Sequence, residues 1–162
     1  MLPVWTITSH ANHMPAHFRY IAMAETVLPS PLLQAYQNTH YCIAQCDWFL
    51  QLGHVQSALA PYYQRHAVQC AAYLTACNPL GELLPDHLNA RRMHQLRASL
   101  QSAGWSWLDG HGHDPQGHWP GEDSVLVWGM SETTARAWGK QWNQNAVVYI
   151  GADMIPQLVL LR

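Results

Sequence analysis

Asn78 and Asn89 are the residues of this 162-residue chain whose chemistry and placement are most informative. Asn78 follows an apolar run and precedes Pro79, which predicts a turn, because a residue before proline avoids the helical region. Asn89 shares the apolar stripe of a helix with Met93 and Leu96, where an unpaired amide costs about 1–3 kcal/mol. The two asparagines therefore form either a structural clasp between loop and helix or part of a ligand site.

Glu122 is the candidate for acid–base chemistry. It stands in the segment WPGEDS, residues 119–124, at the entrance to an apolar strand. A carboxylate in that position serves as a general base, as a ligand anchor or only as a turn residue. The sequence has no Ser-His-Asp pattern, no glycine-rich phosphate loop and no helical His-Glu-x-x-His. Spacing alone therefore gives Glu122 no partner of matching role.

Histidines crowd one glycine- and proline-rich loop, HGHDPQGH at residues 111–118. Three imidazoles and a carboxylate are chemically sufficient for zinc, and they come from His111, His113, Asp114 and His118. Rigid metal sites usually draw their ligands from different elements, however, and eleven histidines in the chain make a chance cluster easy. We predict no metal site and no cofactor.

The composition describes a folded protein with few charges. Hydrophobic residues make up 49% and charged residues 11%, against a usual charged share of about 25%. The formal net charge is -2 and Lys140 is the single lysine, so no basic stripe is available to neutralise phosphates. We predict no nucleic-acid partner. Three arginines of one predicted helix form a solvated face or an anion site: Arg91, Arg92 and Arg97.

Neither a secretory signal nor a run of ~18 apolar residues, long enough to span a bilayer, is recognisable. We therefore expect a cytoplasmic protein with no membrane partner, in which the cysteines are buried thiols rather than disulfides or zinc ligands. Residues 1–28 have no clear period and are predicted to be a loosely attached leader. Met23 within it is a candidate alternative translation start.

Residues 29–162 are predicted to form one α+β domain. The expected architecture is a single mixed β-sheet with about three to four helices packed on it. The unbroken apolar run at 70–76 predicts a central strand. The other predicted elements are helices at the Ser30-Pro31 start, from about 58, at 86–102 and from Ser131, strands at 39–44, 48–52, 105–108, 124–128, 146–150 and 157–161, and a turn-rich loop at 109–123.

The chain resembles a bacterial family of uncharacterised proteins, catalogued as domain of unknown function 3293, over about residues 32–161. The likeness rests on the motif TACNP at 75–79, on Asn89, on the strand entrance at 119–124 and on Gln144-Asn145-Ala146, and it includes the short Tyr36…Tyr41 opening. Asp123 stands where that family usually has proline, and the histidine loop does not belong to the pattern. The resemblance implies a small cytosolic bacterial protein and implies no activity.

We predict that the Asn78 turn, Asn89, Glu122 and Gln144 converge at one end of the sheet, because each lies at an element terminus or on a buried stripe. The leading hypothesis is a small-molecule or peptide-binding module with a polar pocket at this place. The alternative is a hydrolase- or transferase-like enzyme in which Glu122 is the general acid/base and Asn78 and Gln144 orient the substrate.

Aromatic walls are expected around such a pocket, from Trp119, Trp128 or Trp138. The candidate catalytic residue is Glu122. The candidate binding residues are Thr75, Asn78, Asn89, Ser124, Gln144 and Asn145.

Overall fold

The computed structural model of the chain describes residues 26–162. The predicted leader lies outside the described residues as far as residue 25, and it stays a prediction. The strands are β1 (His40–Ile43), β2 (Phe49–Leu50), β3 (Ala71–Leu74), β4 (Trp107–His113), β5 (Glu122–Trp128), β6 (Ala146–Ile150) and β7 (Pro156–Leu160). The helices are α1 (Ser30–Asn38), α2 (Ala60–His66), α3 (Asp86–Ser102) and α4 (Glu132–Gln141).

The helices lie close to the predicted positions, although α2 begins at Ala60 instead of about 58 and neither Ser30 nor Asp86 caps its helix. Proline occupies the first turn of α1 and of α2, where its missing N–H costs no hydrogen bond. The Ser131 side chain accepts the Thr134 N–H and caps α4. Gly104, in the left-handed region at φ +78°, follows the end of α3.

The seven strands of the described chain form one sheet in the order β2-β1-β4-β5-β3-β6-β7. Every pairing is antiparallel, so the single sheet and the α+β class are confirmed and the predicted mixed sheet is wrong. The connections give the reason. Strands β3 and β4, which α3 joins, run parallel to each other but have β5 between them. Strands β5 and β6, which α4 joins, have β3 between them.

The six central elements β3–α3–β4–β5–α4–β6 have the β-α-β-β-α-β order of the ferredoxin-like, or split βαβ, motif. Strands β1 and β2 extend its sheet at one edge, and β7 extends it at the other. Because β5 and β6 both run antiparallel to β3, the end of β3 lies beside the starts of β5 and β6. This topology brings three chain segments that carry the predicted site residues to one end of the sheet.

Each face of the sheet carries an apolar cluster, and alternate residues of β3 contribute to each. Ala72 and Leu74 belong to a cluster that includes Met93, Leu96 and Leu100 of α3. On the other face, the cluster combines side chains of the outer strands with those near α2: Ala71, Tyr73, Leu59, Tyr63, Ile43, Trp128 and Ile150. The fully apolar β3 is therefore covered on both faces, as its sequence predicts.

The predicted turn-rich loop at 109–123 is wrong at both ends, because strands cover 109–113 and 122–123 and the loop is confined to 114–121. β4 runs on to His113 and β5 begins at Glu122. The alternation of histidine with Gly110 and Gly112 gives this stretch no apolar face, so it lacks the usual signal of a strand. At Gly110 the absent side chain matters, because a Cβ there would lie 2.7 Å from both the Cys42 carbonyl oxygen and the Tyr73 hydroxyl oxygen.

We expect Gly110→Ala to lower the free energy of unfolding by about 2–3 kcal/mol, because the added methyl group overpacks a site bounded by backbone. Gly112→Ala is the matched control on the same strand face. A Cβ at Gly112 meets nothing closer than 3.5 Å, so its effect should stay within about 0.5 kcal/mol. Urea denaturation of the two variants measures the difference. Equal destabilisation would contradict this close approach of β1, β3 and β4.

All four cysteines are free thiols in the structure. Only Cys77 is fully buried, whereas Cys42, Cys46 and Cys70 are half-buried, so the predicted burial holds for one of them. Within residues 26–162, no helix combines the length and the apolar character needed to cross a membrane.

Candidate polar site at the Asn78 turn

The turn after β3 holds its backbone in an unusual conformation. Asn78 lies in the left-handed region at φ 44° and ψ 62°, which asparagine tolerates better than most residues. Leu80 is also left-handed, at φ 56°, and a leucine there is strained by about 1–2 kcal/mol. Its N–H donates to the Asn143 carbonyl at 2.7 Å, which ties the turn to the end of α4. Backbone strain of this kind is concentrated at functional sites.

Most hydrogen bonds around this turn involve Asn78, a residue that is 9% exposed. Its Oδ1 accepts the Leu84 N–H and the Asn89 Nδ2 group, both at 2.9 Å. Asn89 in turn accepts the Asn78 backbone N–H at 2.9 Å through its Oδ1. The clasp between loop and helix that the sequence suggests is therefore present in the structure.

Glu122 accepts a hydrogen bond from the side-chain amide of Asn78. The Asn78 Nδ2 group donates to Glu122 Oε1 at 2.7 Å, from the turn to the first residue of β5. Burial raises the pKa of the Glu122 carboxyl above its ordinary value, and the hydrogen bond from Asn78 and the nearby His111 only partly offset that effect. Glu122 is therefore a carboxyl group that the fold makes harder to ionise.

Tyr36 and Asn145 complete the cluster from two further elements. Burial is the largest cause of the raised pKa of the Tyr36 hydroxyl, the Asn145 side chain acts against it, and the Glu122 charge adds to it. The Tyr36 hydroxyl is thus close to the Asn145 side chain and within range of the Glu122 charge. Asn145 is only 2% exposed, and its Oδ1 has no hydrogen-bond partner. We call Tyr36, Asn78, Asn89, Glu122 and Asn145 the polar cluster.

The other predicted binding residues position the backbone instead of entering the polar cluster. Thr75 donates its hydroxyl to the Asp123 carbonyl at 2.7 Å and accepts the Cys77 N–H. Ser124 donates to the Glu122 carbonyl at 3.2 Å, and Gln144 Nε2 donates to the Cys77 carbonyl at 2.9 Å. These bonds join the ends of β3, β5 and α4.

Two contributors were missed by sequence reasoning. Tyr36 enters the sequence analysis only through the Tyr36…Tyr41 opening of the family likeness, which assigns it no polar role. Arg92, predicted to lie on a solvated face or to bind an anion, instead donates to the carbonyls of Ala76 and Trp142 and bridges the ends of β3 and α4. Its position one helical turn from Asn89 is the signal that could have found it.

The predicted tryptophan walls do not surround the polar cluster. Trp128 lies at the other end of β5 from Glu122, where it stacks on Tyr62 with ring centroids 5.2 Å apart. Trp138 lines an open groove of about 520 Å³ between α3 and α4. Trp119 lies half-buried in the β4–β5 connection. The aromatic side chains near Glu122 are tyrosines, Tyr36 and Tyr41.

The histidine loop does not bring its four candidate ligands together. Asp114 Oδ1 accepts the Gln116 N–H, and Asp114 Oδ2 receives the N–H of His118 and lies 2.8 Å from its Nδ1, so the carboxylate closes a turn. His111 Nδ1 instead lies 3.3 Å from an oxygen of Asp123. Among residues 26–162, no three histidine, cysteine or carboxylate side chains are grouped so that they could hold a metal ion.

We expect the purified protein to carry no stoichiometric zinc, because the Asp114 oxygens already accept hydrogen bonds within the turn. Ordering a loop that carries Gly117 around a cation would also cost conformational entropy. Elemental analysis after tag removal measures the metal content. One equivalent of zinc that is lost in His113→Ala and His118→Ala would contradict this prediction.

Fold and site together define an α+β protein with a ferredoxin-like unit and a polar cluster at one end of its sheet. Residues 74–147 match the family described as Protein of unknown function (DUF3293), so the resemblance indicated by the sequence motifs is confirmed over these residues. The match includes Asn78, Asn89, Glu122 and Asn145 and excludes Tyr36. No curated protein and no solved structure matches the chain significantly.

Proposed function

We propose that the protein is a binding module for a small molecule or a peptide and that the polar cluster is its ligand site. The observation that carries this proposal is the unpartnered Oδ1 of Asn145, which is 2% exposed. A buried acceptor without a donor costs about 1–3 kcal/mol, and each such group in a native protein requires an explanation. A ligand that donates to this oxygen supplies one.

Two further features support the proposal. Glu122 accepts a hydrogen bond from Asn78 in buried surroundings that raise its pKa. Carboxyl groups with perturbed pKa values are concentrated at functional sites. The neighbouring turn also exposes apolar surface, since Leu80 is 53% and Leu83 is 72% exposed. A few polar anchors beside apolar surface are the usual composition of ligand sites.

A thermal-shift screen of nucleotides, amino acids and common metabolites tests the proposal, because a bound ligand raises the melting temperature. Compounds that stabilise the wild type should lose their effect on Asn145→Leu, which removes the unpartnered acceptor. Gln141→Ala, in the groove between α3 and α4, is the control and should respond like the wild type. Hits that are lost only in Gln141→Ala would contradict binding at the polar cluster.

The alternative function is catalysis with Glu122 as the general acid/base, and the raised pKa of Glu122 specifically favours it. Cys77 contributes no nucleophile to such a reaction, because burial raises its pKa to about 11 and keeps the thiol protonated at neutral pH. Turnover of generic ester or phosphate substrates that Glu122→Gln abolishes would support the enzyme. Binding of a metabolite without its conversion would contradict the enzyme and support the binding function.

A further inference from the structure

Two acceptors of the polar cluster, Glu122 Oε2 and the buried Asn145 Oδ1, make no hydrogen bond within residues 26–162. Asn89 Nδ2 donates to Asn78 Oδ1 and to the Leu84 carbonyl, and Asn78 Nδ2 donates one of its two N–H groups to Glu122 Oε1. Within residues 26–162, that bond from Asn78 is the only one that the Glu122 side chain accepts. Its Oε2 therefore remains free, as does the buried Oδ1 of Asn145.

Most of the titratable groups around Glu122 are uncharged at neutral pH. The titratable groups that face it are the hydroxyls of Tyr36 and Tyr41, the Cys77 thiol and the imidazole of His111. Burial raises the pKa of the two hydroxyls and of the thiol, so these three groups are neutral at pH 7.

No lysine or arginine of residues 26–162 forms an ion pair with Glu122, and the one cation-forming group that acts on its carboxyl is the His111 imidazole. His111 Nδ1 lies 3.3 Å from Asp123 Oδ1, and Asp123 itself adds negative charge beside the cluster. The Arg92 guanidinium donates to the carbonyls of Ala76 and Trp142. A carboxylate in protein surroundings is ordinarily paired with a cation, and this one has no lysine or arginine partner among residues 26–162.

We infer that the ligand of the polar cluster is a small organic cation, whose ammonium or guanidinium group donates to Glu122 Oε2 and Asn145 Oδ1. This inference rests on the proposed binding function and names its ligand class. The phenol ring of Tyr36 and the exposed side chain of Leu80 provide apolar surface for the carbon part of an alkyl or aryl amine. A metal ion does not fit, because the cluster offers a single carboxylate and no second charged ligand.

Isothermal titration calorimetry at pH 7.5 with three matched sets of probes tests this inference on the full chain. The cations are benzylamine and agmatine, the neutral probes are benzyl alcohol and butyramide, and the anions are benzoate and butyrate. We expect the best cation to bind at least tenfold more tightly than its neutral counterpart. Glu122→Gln should weaken that binding at least tenfold. Glu132→Gln, which removes an exposed carboxylate on α4, should leave it unchanged.

Each other outcome overturns a different claim. Neutral or anionic probes that bind as tightly as the cations, with the binding lost in Asn145→Leu, would overturn the ligand class and leave the binding function intact. Cation binding that is equally strong in Glu122→Gln would overturn the placement of the charge at Glu122. If no probe and no compound of the metabolite screen binds the wild type, both the ligand class and the proposed function are wrong.

Discussion

Asn78→Ala is expected to lower the free energy of unfolding by about 4 kcal/mol, the largest stability effect that the polar cluster predicts. The substitution removes three side-chain hydrogen bonds, which involve Glu122, Leu84 and Asn89. Each leaves a partly buried partner unsatisfied, at about 1 kcal/mol or more. Alanine also tolerates the left-handed backbone at φ 44° less well than asparagine, which adds about 1 kcal/mol.

Asn143→Ala is the matched control for the backbone component of this effect. Asn143 is exposed and left-handed at φ 56°, and its side chain makes none of the hydrogen bonds found in the described chain. Its substitution should cost about 1 kcal/mol. Urea denaturation curves of both variants measure the difference. Equal losses would show that the side-chain bonds of Asn78 contribute nothing to stability.

Glu122→Gln is expected to weaken ligand binding by about 2–5 kcal/mol, because it removes the buried charge that the ligand cation meets. The same substitution should stabilise the free protein at pH 7 by about 1 kcal/mol, since it removes a carboxylate that burial disfavours. Glutamine keeps an oxygen in the position that accepts the Asn78 Nδ2 group. A loss of function with a gain of stability is what distinguishes a ligand site from a structural clasp.

The sign of the pH dependence follows from the raised pKa of Glu122. Below its ordinary value of 4.5, the carboxyl is protonated in both the folded and the unfolded chain, so wild type and variant should be equally stable. As the pH rises from 4.5 to the pKa of the folded state, the folded chain holds more protons and wild-type stability falls. Above that pKa the difference in stability between the wild type and Glu122→Gln stays constant. Melting temperatures from pH 4 to 8 measure it, and a variant less stable than wild type at pH 7 contradicts the prediction.

Local sequence features predicted the elements and the clasp well. Prolines, the Ser131 cap and Gly104 mark helix ends through the geometry of single residues, and an amide on an apolar stripe requires a partner nearby. The Asn78 and Asn89 pair lies within one turn and helix, so the contact needs no knowledge of the rest of the fold.

Long-range features could not be predicted in the same way. The antiparallel order depends on which strand lies between the two ends of each helical connection, and no local pattern encodes it. Tyr36 belongs to α1, far along the chain from the other members of the polar cluster, and the Tyr36…Tyr41 opening gave it no polar role. Gly110 is required by the Cys42 carbonyl and the Tyr73 hydroxyl, which belong to two other strands. Such contacts exist only in the folded chain.

The carboxyl pKa of Glu122 in the free protein tests the central claim most directly, and a ¹³C NMR titration of the Glu122 side-chain carboxyl measures it. We predict a titration midpoint above the ordinary value of 4.5, because burial in the polar cluster disfavours the charge. Saturation with the organic cation that binds best should lower that midpoint, since the ligand supplies the missing positive charge. A midpoint at the ordinary value that no ligand moves would contradict the account and make Glu122 a solvated turn residue.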